Sequence, residues 1–440
     1  MFTLENATIA SVQAAVSRGE LSYRKLAMMY LERIAQIDSC KGGFNSVLEV
    51  NPDALPLAEA MDNERRQGKI RGPLHGIPIL LKDNIDTADK MQTTAGALAL
   101  AGHFAKKDAK IVKHLRKAGC VILGKANMTE FANYMTEDMP NGYSSRGGQV
   151  ISTISPETDA SGSSTGSAVA VAANLCVVSV GTETCGSIIS PAMVQEIVGI
   201  KPTAGLVNGK GIIPISATLD TAGPMARTVE DCVLLLEGLT GRSYSQYLQA
   251  EGLKGLRVGV YNKEEPRTEI LAALTQSGAV IVKDIPAISP QEPWRDFGHH
   301  ISKHEFKRCM DHYLSSGSGP IKTLQDIVDF NEAHKDAALK HGQTVLLECL
   351  NESSGKLTEP EYIQALTLRE EARHSLNKIF EDYGVDVLLC PDEETGIAPL
   401  TGFPAGTIPK DMYFITRPHD EETLIRAMYG ASNWSKISTS

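Results

Sequence analysis

The chain has 440 residues, of which 42% are hydrophobic and 22% are charged, a composition typical of a globular protein with a large core. Its 53 acidic residues outnumber its 43 lysines and arginines, which gives a formal net charge of −10 at pH 7, and the basic residues are scattered. This charge excludes the usual electrostatic signature of a protein that binds nucleic acid or an anionic membrane. We therefore expect a small molecule or a neutral peptide as partner, and neither nucleic acid nor a membrane.

The amino-terminal segment MFTLENATIASVQAAVSRGE has no basic stretch followed by an apolar run, and eighteen consecutive apolar residues occur nowhere in the chain. The sequence therefore predicts a soluble, cytoplasmic protein. The eight cysteines lie apart, without CxxC spacing and mostly within apolar segments such as AGCVILG. They are predicted to be reduced core thiols rather than a disulfide framework or a zinc site.

Helices and strands alternate through the first half of the chain. A helix capped by Ser22 is predicted to run to about Ile37, because apolar residues recur on one face at helical spacing. The apolar run 77–81 is then interpreted as a buried strand, which delivers the polar residues KDN at 82–84 to its carboxyl end.

The same alternation continues further along the chain. Asp108 is predicted to cap a helix that stops at Gly119 and is followed by a strand over 120–123. A helix of small residues is predicted after Ser163, followed by a strand over 175–180, and its alanines allow close approach to a sheet. Alternating helices and strands of this kind indicate an α/β sheet.

The pattern is looser beyond residue 241. Strands are predicted at 256–261, 279–285 and 385–389, whereas the charged segment 296–382 is predicted to be mostly helical. We interpret that segment as a helical layer or insertion over the sheet. One mixed α/β domain explains the whole pattern more economically than several domains.

A group of histidines in DFGHHISKHEFKRC has the spacing of a partial metal site. His300 and His304 are four residues apart on a predicted helix, with His299 beside them. The metalloprotease pattern HExxH is absent, because Arg308 stands where its second histidine would be. We favour an exposed polar helix face, and no metal is predicted.

The segment SGSSTGSA at 161–168 resembles a phosphate-binding loop only superficially. A P-loop ends in GK[ST], but here Gly166 is followed by Ser and Ala, and no GxGxxG motif follows a strand. Nucleotide binding is therefore not expected, and no cofactor is predicted.

Ser187 is a potential nucleophile without a nearby histidine. It lies in TETCGSIISPA, which departs from the GxSxG elbow of α/β-hydrolases, and no histidine occurs within sixty positions. An unprotonated lysine could replace histidine as the base, since burial can lower a lysine pKa from about 10.4 into the working range. Lys82, at the end of an apolar strand, is the lysine that the sequence favours.

Five motifs in one order give the chain a specific resemblance to the amidase signature family. The match extends from an amino-terminal helix to a weaker carboxyl-terminal segment, and it is carried by GPLHGIPILLKDN, SGSSTGSAVAVAANL, GTETCGSIISPA, VGIKPTAGLV and DTAGPMARTVEDC. The resemblance implies an α/β fold: a single α/β/α sandwich with a large mixed β-sheet. It also implies amide hydrolysis.

The resemblance assigns a Ser-Ser-Lys triad. Ser187 matches the serine that is acylated, Ser163 matches a bridging serine that follows a cis peptide bond from Gly162, and Lys82 matches the neutral general base. A proton would pass from Ser187 through Ser163 to Lys82 as Ser187 attacks the amide carbonyl, and the acyl-enzyme would then be hydrolysed.

The turn before Ser187 is expected to form the oxyanion hole. Thr184, Cys185 and Gly186 can direct backbone N–H groups to one point because small residues permit tight curvature. The sequence departs from the usual family motif with Glu183 for aspartate, Cys185 for glycine and Ile189 for arginine. The loss of that arginine predicts a neutral, apolar wall of the substrate pocket, formed in part by Ile189.

Within the family, motifs such as GYSSRGGQ most resemble the peptide amidase branch, which removes ammonia from carboxy-terminal peptide amides. A small amide or a peptide amide is the expected substrate, with other neutral primary amides and aryl acylamides as alternatives. By alignment, Ala132 and Asn133 are expected near the acyl pocket. The expected assembly is a monomer or homodimer.

Two other functions remain open. The glutamine-hydrolysing component of tRNA-dependent amidotransferases also resembles the family, as would a non-catalytic binding protein of the same fold. The predicted organisation is a single amidase domain over 1–440. Its parts are a helical flank (1–60), the signature core (61–240), a variable and largely helical region over the sheet (241–390) and a shortened carboxyl-terminal return (391–440).

Overall fold

The computed structural model describes residues 2–261, 268–290, 294–317, 319–390, 395–409 and 412–437. Within these ranges, thirteen strands form one sheet of eleven strands and a separate hairpin. In chain order the strands are β1 Val47–Val50, β2 Pro78–Lys82, β3 Val121–Ala126, β4 Tyr143–Ser144, β5 Gly148–Gln149, β6 Val178–Glu183, β7 Val198–Lys201, β8 Thr221–Ala226, β9 Arg257–Tyr261, β10 Val280–Ile285, β11 Val387–Cys390, β12 Ala405–Ile408 and β13 Met412–Ile415.

The helices in the same ranges carry the rest of the regular structure. They are α1 Ile9–Ser17, α2 Tyr23–Arg33, α3 Ala54–Arg66, α4 Lys110–Ala118, α5 Thr165–Ala172, α6 Ile189–Val194, α7 Val229–Thr240, α8 Thr268–Gln276, α9 Trp294–Ser316, α10 Leu324–Ala333, α11 Lys335–Ala338, α12 Thr344–Glu352, α13 Pro360–Asp382, α14 Ile397–Thr401 and α15 Glu421–Ile437. A π-helical turn and three short 3₁₀ turns complete the list, at Ile34–Asp38, Leu98–Leu100, Glu130–Asn133 and Ser245–Tyr247.

The large sheet is mixed, as predicted. Its strand order is β1-β3-β2-β6-β8-β7-β12-β13-β11-β9-β10. Parallel pairs occur on each side, between β3, β2 and β6 and between β11, β9 and β10, while the central strands are antiparallel. Helices α5, α6, α7 and α15 pack against the central strands. This arrangement confirms the predicted α/β/α fold with a large mixed sheet.

The amino-terminal flank contains a strand as well as helices. The Ser22 side chain accepts a hydrogen bond from the Lys25 N–H, so the predicted cap is confirmed, but the α-helix ends at Arg33 and continues as the π-helical turn. Strand β1, which the sequence did not predict, pairs antiparallel with β3 at the edge of the sheet.

Helix α4 begins without the cap that the sequence suggested. It begins at Lys110 and is not capped by Asp108. The Asp108 carboxylate instead accepts from the Ala88 N–H at 2.8 Å and pairs with Arg116 at 3.1 Å, so the predicted cap is wrong. The predicted stop is confirmed, since Gly119 has φ +88°, a conformation that favours glycine.

Small residues allow α5 to lie close to the neighbouring chain. A Cβ added to Gly166 would meet the Asn127 carbonyl oxygen at 2.3 Å and the Ser46 carbonyl oxygen at 2.4 Å. No side chain fits there, which explains the glycine within SGSSTGSA. The following strand begins at Val178, three residues later than predicted.

The second half of the chain matches the predicted secondary structure closely. Strands β9, β10 and β11 overlap the predicted strands, and helices α9 to α13 fill most of 296–382. The interpretation of HHISKHE as an exposed face is wrong, because residues 301–305 are buried, His304 being 0% exposed, and His299 and His300 are half-buried. Cys40 and Cys185 are exposed, so the prediction of core thiols fails at these two positions.

Across the described ranges, no helix combines the length and the apolar character needed to cross a bilayer. The same residues contain no group of three histidine, cysteine or acidic side chains that could hold a metal ion.

Candidate active site

Three strand ends bring the predicted site residues to one edge of the sheet. Strands β2 and β6 are parallel neighbours, with Leu81 opposite Val180, so their carboxyl ends lie side by side. Lys82 is the last residue of β2 and Glu183 the last of β6, while the antiparallel β8 begins opposite Glu183. Polar residues at these ends therefore meet although they are distant in sequence.

Lys82 is fully buried among hydrogen-bonding groups. Its Nζ lies 2.8 Å from Ser163 Oγ, 2.9 Å from Ser164 Oγ and 3.1 Å from the Thr182 carbonyl oxygen. The structure thus brings together two of the three residues predicted as the triad, and it adds Ser164 and Thr182, which the sequence did not single out.

Burial lowers the pKa of Lys82 to about 7, because the ammonium form loses its hydration. The negative charges of Asp220 and Glu183 oppose this shift without cancelling it. No carboxylate is within ion-pairing distance of Lys82 in the part of the chain that the structure describes. A large fraction of Lys82 is therefore neutral near pH 7.

The Gly162–Ser163 peptide bond is cis, as predicted. The main chain then brings the two serine segments together, since the Ser164 N–H donates to the Ser187 carbonyl oxygen at 3.1 Å. Ser163 and Ser187 are both described, and their hydroxyl groups form no hydrogen bond with each other in this structure. Hydrogen bonds between catalytic groups often reach their full strength only in the complex with substrate.

Ser187 lies in a turn that Glu183 stabilises. Glu183 Oε2 accepts from the Ile188 N–H at 2.6 Å and from the Ile189 N–H at 3.0 Å. Burial raises the pKa of Glu183, while Lys201 and the backbone N–H groups, including that of Gly186, lower it. The sequence identified Glu183 only as a departure from the family motif, although a carboxylate retained at a strand end could have indicated an anchor for the next turn.

The turn itself requires glycine at position 186. Gly186 has φ +83°, and a Cβ there would lie 2.9 Å from Ser190 Oγ. Ser187 follows it with 7% of its surface exposed. The Thr184 hydroxyl donates to Asp220 at 2.6 Å, which joins this turn to the loop before β8.

Asp220 orders that loop. Its second carboxylate oxygen accepts from the N–H groups of Ile215 at 2.8 Å and Ser216 at 3.0 Å. Burial raises the pKa of Asp220 to about 6 against the effect of these hydrogen bonds. The nucleophile turn and the loop therefore share one carboxylate.

A cavity of about 450 Å³ opens beside these residues. Its wall contains Asn84, Ala132, Thr182, Thr184, Ala204, Gly205, Val207, Gly209, Ile212, Ile213, Pro214, Ile215, Ser216, Ala217, Thr218, Asp220, Thr221, Arg369 and Arg373. The cavity thus reaches the segment that leads into the Ser187 turn, through Thr184 and through Thr182, the residue whose carbonyl binds Lys82, while Ser187 itself is not part of its wall.

The predicted substrate contacts have different positions. Ala132 lies in the cavity wall, within three consecutive residues of positive φ, at +45°, +55° and +71° for 131, 132 and 133. Asn133 is exposed, bonds to Asn141 at 2.9 Å and is not part of this wall. Ile189 is fully buried in an apolar cluster with Phe403, because the bond from its N–H to Glu183 fixes the start of α6 against that cluster.

The prediction of a neutral, apolar wall is wrong for this cavity. Two guanidinium groups, from Arg369 and Arg373 on α13, take part in its lining. They lie more than 180 residues beyond Ser187 in a segment without a recognised motif, and no sequence signal connected them with the site.

The family comparison agrees with this geometry. A model of the Amidase family matches residues 26–403. The chain belongs to the amidase family. A probable amidase from Arabidopsis thaliana is 35% identical, with 93% of this chain and 84% of that protein covered. A glutamyl-tRNA(Gln) amidotransferase component from Pseudomonas syringae pv. syringae is 32% identical, with 93% and 88% covered.

A solved structure supports the same assignment. The native peptide amidase from Stenotrophomonas maltophilia superposes with a TM-score of 0.92 and 36% identity, covering 99% of this chain and 98% of that one. This amidase is therefore an amide-hydrolysing enzyme with the amidase signature fold.

Proposed function

We propose that this amidase hydrolyses a primary carboxamide through an acyl-enzyme on Ser187, with Ser163 as the proton relay and Lys82 as the general base. The observation that carries the proposal is the 2.8 Å contact between Lys82 Nζ and Ser163 Oγ in a fully buried setting. The lowered pKa of Lys82, about 7, supports the same role.

The hydrogen bonds around Lys82 favour a definite arrangement of protons. The Ser164 hydroxyl donates to the Thr182 carbonyl oxygen at 2.9 Å, so its oxygen accepts from Lys82. The Thr182 carbonyl can only accept, so it takes the other N–H of the amine. A neutral amine then has its lone pair left for Ser163, whose hydroxyl donates to it.

The chemical steps follow from this arrangement. Lys82 accepts the Ser163 proton while Ser163 accepts the Ser187 proton, and Ser187 Oγ forms a bond to the amide carbon. The C–N bond then breaks as the relay returns a proton to nitrogen, which releases ammonia. Water attacks the acyl-enzyme by the same relay and regenerates Ser187.

The developing oxyanion requires fixed donors. We assign this role to backbone N–H groups of the turn formed by Thr184, Cys185 and Gly186. Glu183 accepts from the N–H groups of Ile188 and Ile189 at 2.6 Å and 3.0 Å, so these two are excluded from this role. Gly186 would turn its N–H from the same carboxylate to the oxyanion. The loss of one such donor typically lowers the rate by about two to three orders of magnitude.

The proposed substrates are carboxy-terminal peptide amides. The similarity to the Stenotrophomonas maltophilia peptide amidase supports this class, as does a cavity large enough for an acyl group next to the Ser187 turn. A cytoplasmic location and a monomeric or homodimeric assembly remain predictions.

A second candidate is glutamine hydrolysis for a tRNA-dependent amidotransferase. The relative from Pseudomonas syringae and the arginines in the cavity wall favour it, since glutamine carries a carboxylate. Such an enzyme would require a partner protein and would release ammonia from free glutamine. A non-catalytic binding protein is disfavoured, because Lys82, Ser163 and Ser187 are all present.

The test is ammonia release from peptide amides, aliphatic amides, aromatic amides and glutamine. We expect turnover of peptide amides by the single chain, and its loss in Ser187→Ala. Ser17→Ala on the exposed face of α1 is the matched control and should retain activity. Equal turnover by Ser187→Ala and the wild type would contradict the mechanism, while activity on glutamine alone would favour the second candidate.

A further inference from the structure

We propose that the cavity binds a carboxylate on the acyl part of the substrate, with Arg369 as the side chain that contacts it. The preferred substrates would be primary amides whose acyl group is anionic, such as peptide amides with an acidic side chain near the amide. This inference rests on the proposed function and specifies its substrate class.

Arg369 is buried but incompletely paired. Its side chain is 11% exposed and its Nη1 contacts Glu370 Oε1 at 2.9 Å. Its Nε is buried and has no hydrogen-bond partner among the residues that the structure describes. A buried donor without a partner is costly, and a bound anion would remove that cost.

A second guanidinium group faces the same point. A Cβ placed on Gly402 would lie 3.1 Å from Arg373 Nη1 and 3.3 Å from Arg369 Nη2. Ala204, which lines the cavity, would lie 3.2 Å from it. The two side chains therefore converge beside Gly402 at the cavity wall.

The carboxylates near these two arginines are engaged with other donors or exposed. Arg373 Nε also contacts Glu370, at 3.4 Å, so one carboxylate serves two guanidinium groups. The Glu370 side chain is 66% exposed, and ion pairs exposed to solvent contribute little to stability. Asp220, which lines the cavity, already accepts three hydrogen bonds from its own loop and from the Ser187 turn. Buried Glu305, whose charge also acts on Arg369, accepts hydrogen bonds from Ser216, Thr218 and Tyr362.

The two arginines have different roles. Arg373 Nη1 donates to the Thr401 carbonyl oxygen at the end of α14, which is a structural contact. Arg369 makes no bond to the main chain in the described ranges, and the burial of its guanidinium, together with the charge of Arg373, lowers its pKa. A planar fork of donors suits a carboxylate, which it can bind through two parallel bonds.

The position of the carboxylate within the substrate follows from the reaction. When ammonia is the leaving group, every other part of a primary amide belongs to the acyl side. The cavity, which extends from Thr184 at the start of the Ser187 turn to Arg369, is therefore assigned as an acyl subsite, and Arg369 there would select acyl groups that carry a carboxylate.

The experiment compares matched substrates. The peptide substrates are N-acetyl dipeptide amides. One member of each pair carries Asp or Glu at the last or the penultimate position, and the other member carries Asn or Gln at the same position. Glutaramate, the monoamide of glutarate, against butyramide tests small acids. We expect the wild type to favour the acidic members by about tenfold or more in kcat/KM, the range given by charged hydrogen bonds.

Three variants test the assignment. Arg369→Gln should lower kcat/KM on acidic amides about tenfold to a hundredfold more than on the matched neutral amides, mostly through KM. Arg369→Lys should restore part of the preference. Glu370→Gln, which removes a competing carboxylate, should keep or increase it. If Arg369→Gln lowered kcat/KM by the same factor on the acidic and the neutral substrates, the inference would be overturned.

A binding measurement separates this inference from the proposed function. Titration calorimetry with glutaramate on Ser187→Ala needs no turnover, and binding should weaken by the same factor in the double variant with Arg369→Gln. Hydrolysis without acidic preference would overturn this inference alone. Glutaramate binding that depends on Arg369, with no hydrolysis of any amide, would support it and overturn the proposed chemistry.

Discussion

Two buried lysines occupy neighbouring strand ends and have different surroundings. Lys82 ends β2, and Lys125 lies near the end of the parallel neighbour β3, paired with Leu81. Both are 0% exposed, and burial lowers the pKa of each. Lys82 contacts two hydroxyls and a carbonyl, whereas Lys125 contacts the Ile85 carbonyl and the Thr93 hydroxyl.

Their electrostatic surroundings separate them further. The carboxylates of Asp83 and Asp86 favour the charged form of Lys125, and Asp83 is itself fully buried. For Lys82, the charges of Asp220 and Glu183 favour the ammonium form, but they do not cancel the effect of burial on its pKa. Burial alone therefore does not make a lysine a base, because a hydroxyl that can donate its proton and the absence of a close carboxylate are also needed.

The largest expected effect comes from replacing each lysine with methionine. Lys82→Met should lower kcat by about 10² to 10⁴, the usual contribution of a general base, with folding retained. Lys125→Met should leave the Ile85 carbonyl and the Thr93 hydroxyl without their donor, with Arg146 as the remaining cation near Asp83. This variant should lower the free energy of unfolding by about 1 to 3 kcal/mol, with kcat of the folded fraction largely retained. Ammonia release and thermal unfolding measure the two effects. Loss of kcat in Lys125→Met without loss of stability would contradict the comparison.

The pH dependence should follow Lys82 and not Lys125. Because the base must be neutral and the pKa of Lys82 is about 7, kcat/KM should fall by about tenfold for each pH unit below 7 and level off above it. The same acidic limb should appear in Lys125→Met. A rate that increases as the pH falls below 7 would exclude a neutral lysine base.

A smaller effect is expected when Glu183 loses its charge. Glu183→Gln should lower kcat by about tenfold, because the N–H groups of Ile188 and Ile189 lose a charged acceptor. It should also move the acidic limb to lower pH, since the Glu183 carboxylate raises the pKa of Lys82. The exposed Glu32→Gln is the control. If the acidic limb of the pH profile moved to higher pH, the Glu183 carboxylate would not be raising the pKa of Lys82.

The smallest effect is expected at a neutral partner of Lys125. Thr93→Val removes a hydroxyl that Lys125 contacts at 2.8 Å and should cost about 1 kcal/mol of stability. We expect kcat/KM to stay within about twofold of the wild type. A larger loss of activity than of stability would mean that the end of β3 takes part in the chemistry.

The sequence predicted the part of the site that local motifs describe. Lys82 could be placed because an apolar run ends there, and the position of the cis bond before Ser163 followed from the family resemblance. The error at Asp108 has a simple cause, since a competing arginine eight residues later and a distant N–H attract its carboxylate. Local patterns cannot show such competition.

The cavity wall could not be predicted for a related reason. Arg369 and Arg373 reach it only because α13 packs against α14 and α9, and nothing in their own segment indicates that packing. His304 likewise looks polar and exposed in sequence but is covered in the fold. The inference from Ile189 failed because its side chain belongs to the core behind the turn.

The connection between β7 and β8 divides this enzyme into a fixed part and an exchangeable part. It spans 202–220, supplies most of the cavity wall, and begins and ends at adjacent antiparallel strands of the sheet. Lys82, Ser163 and Ser187 all lie outside it. Asp220 is the exception within the segment, because it holds Thr184 of the nucleophile turn. Exchange of 202–219 between two amidases, with Asp220 kept, is therefore a direct route to altered selectivity with the same chemistry.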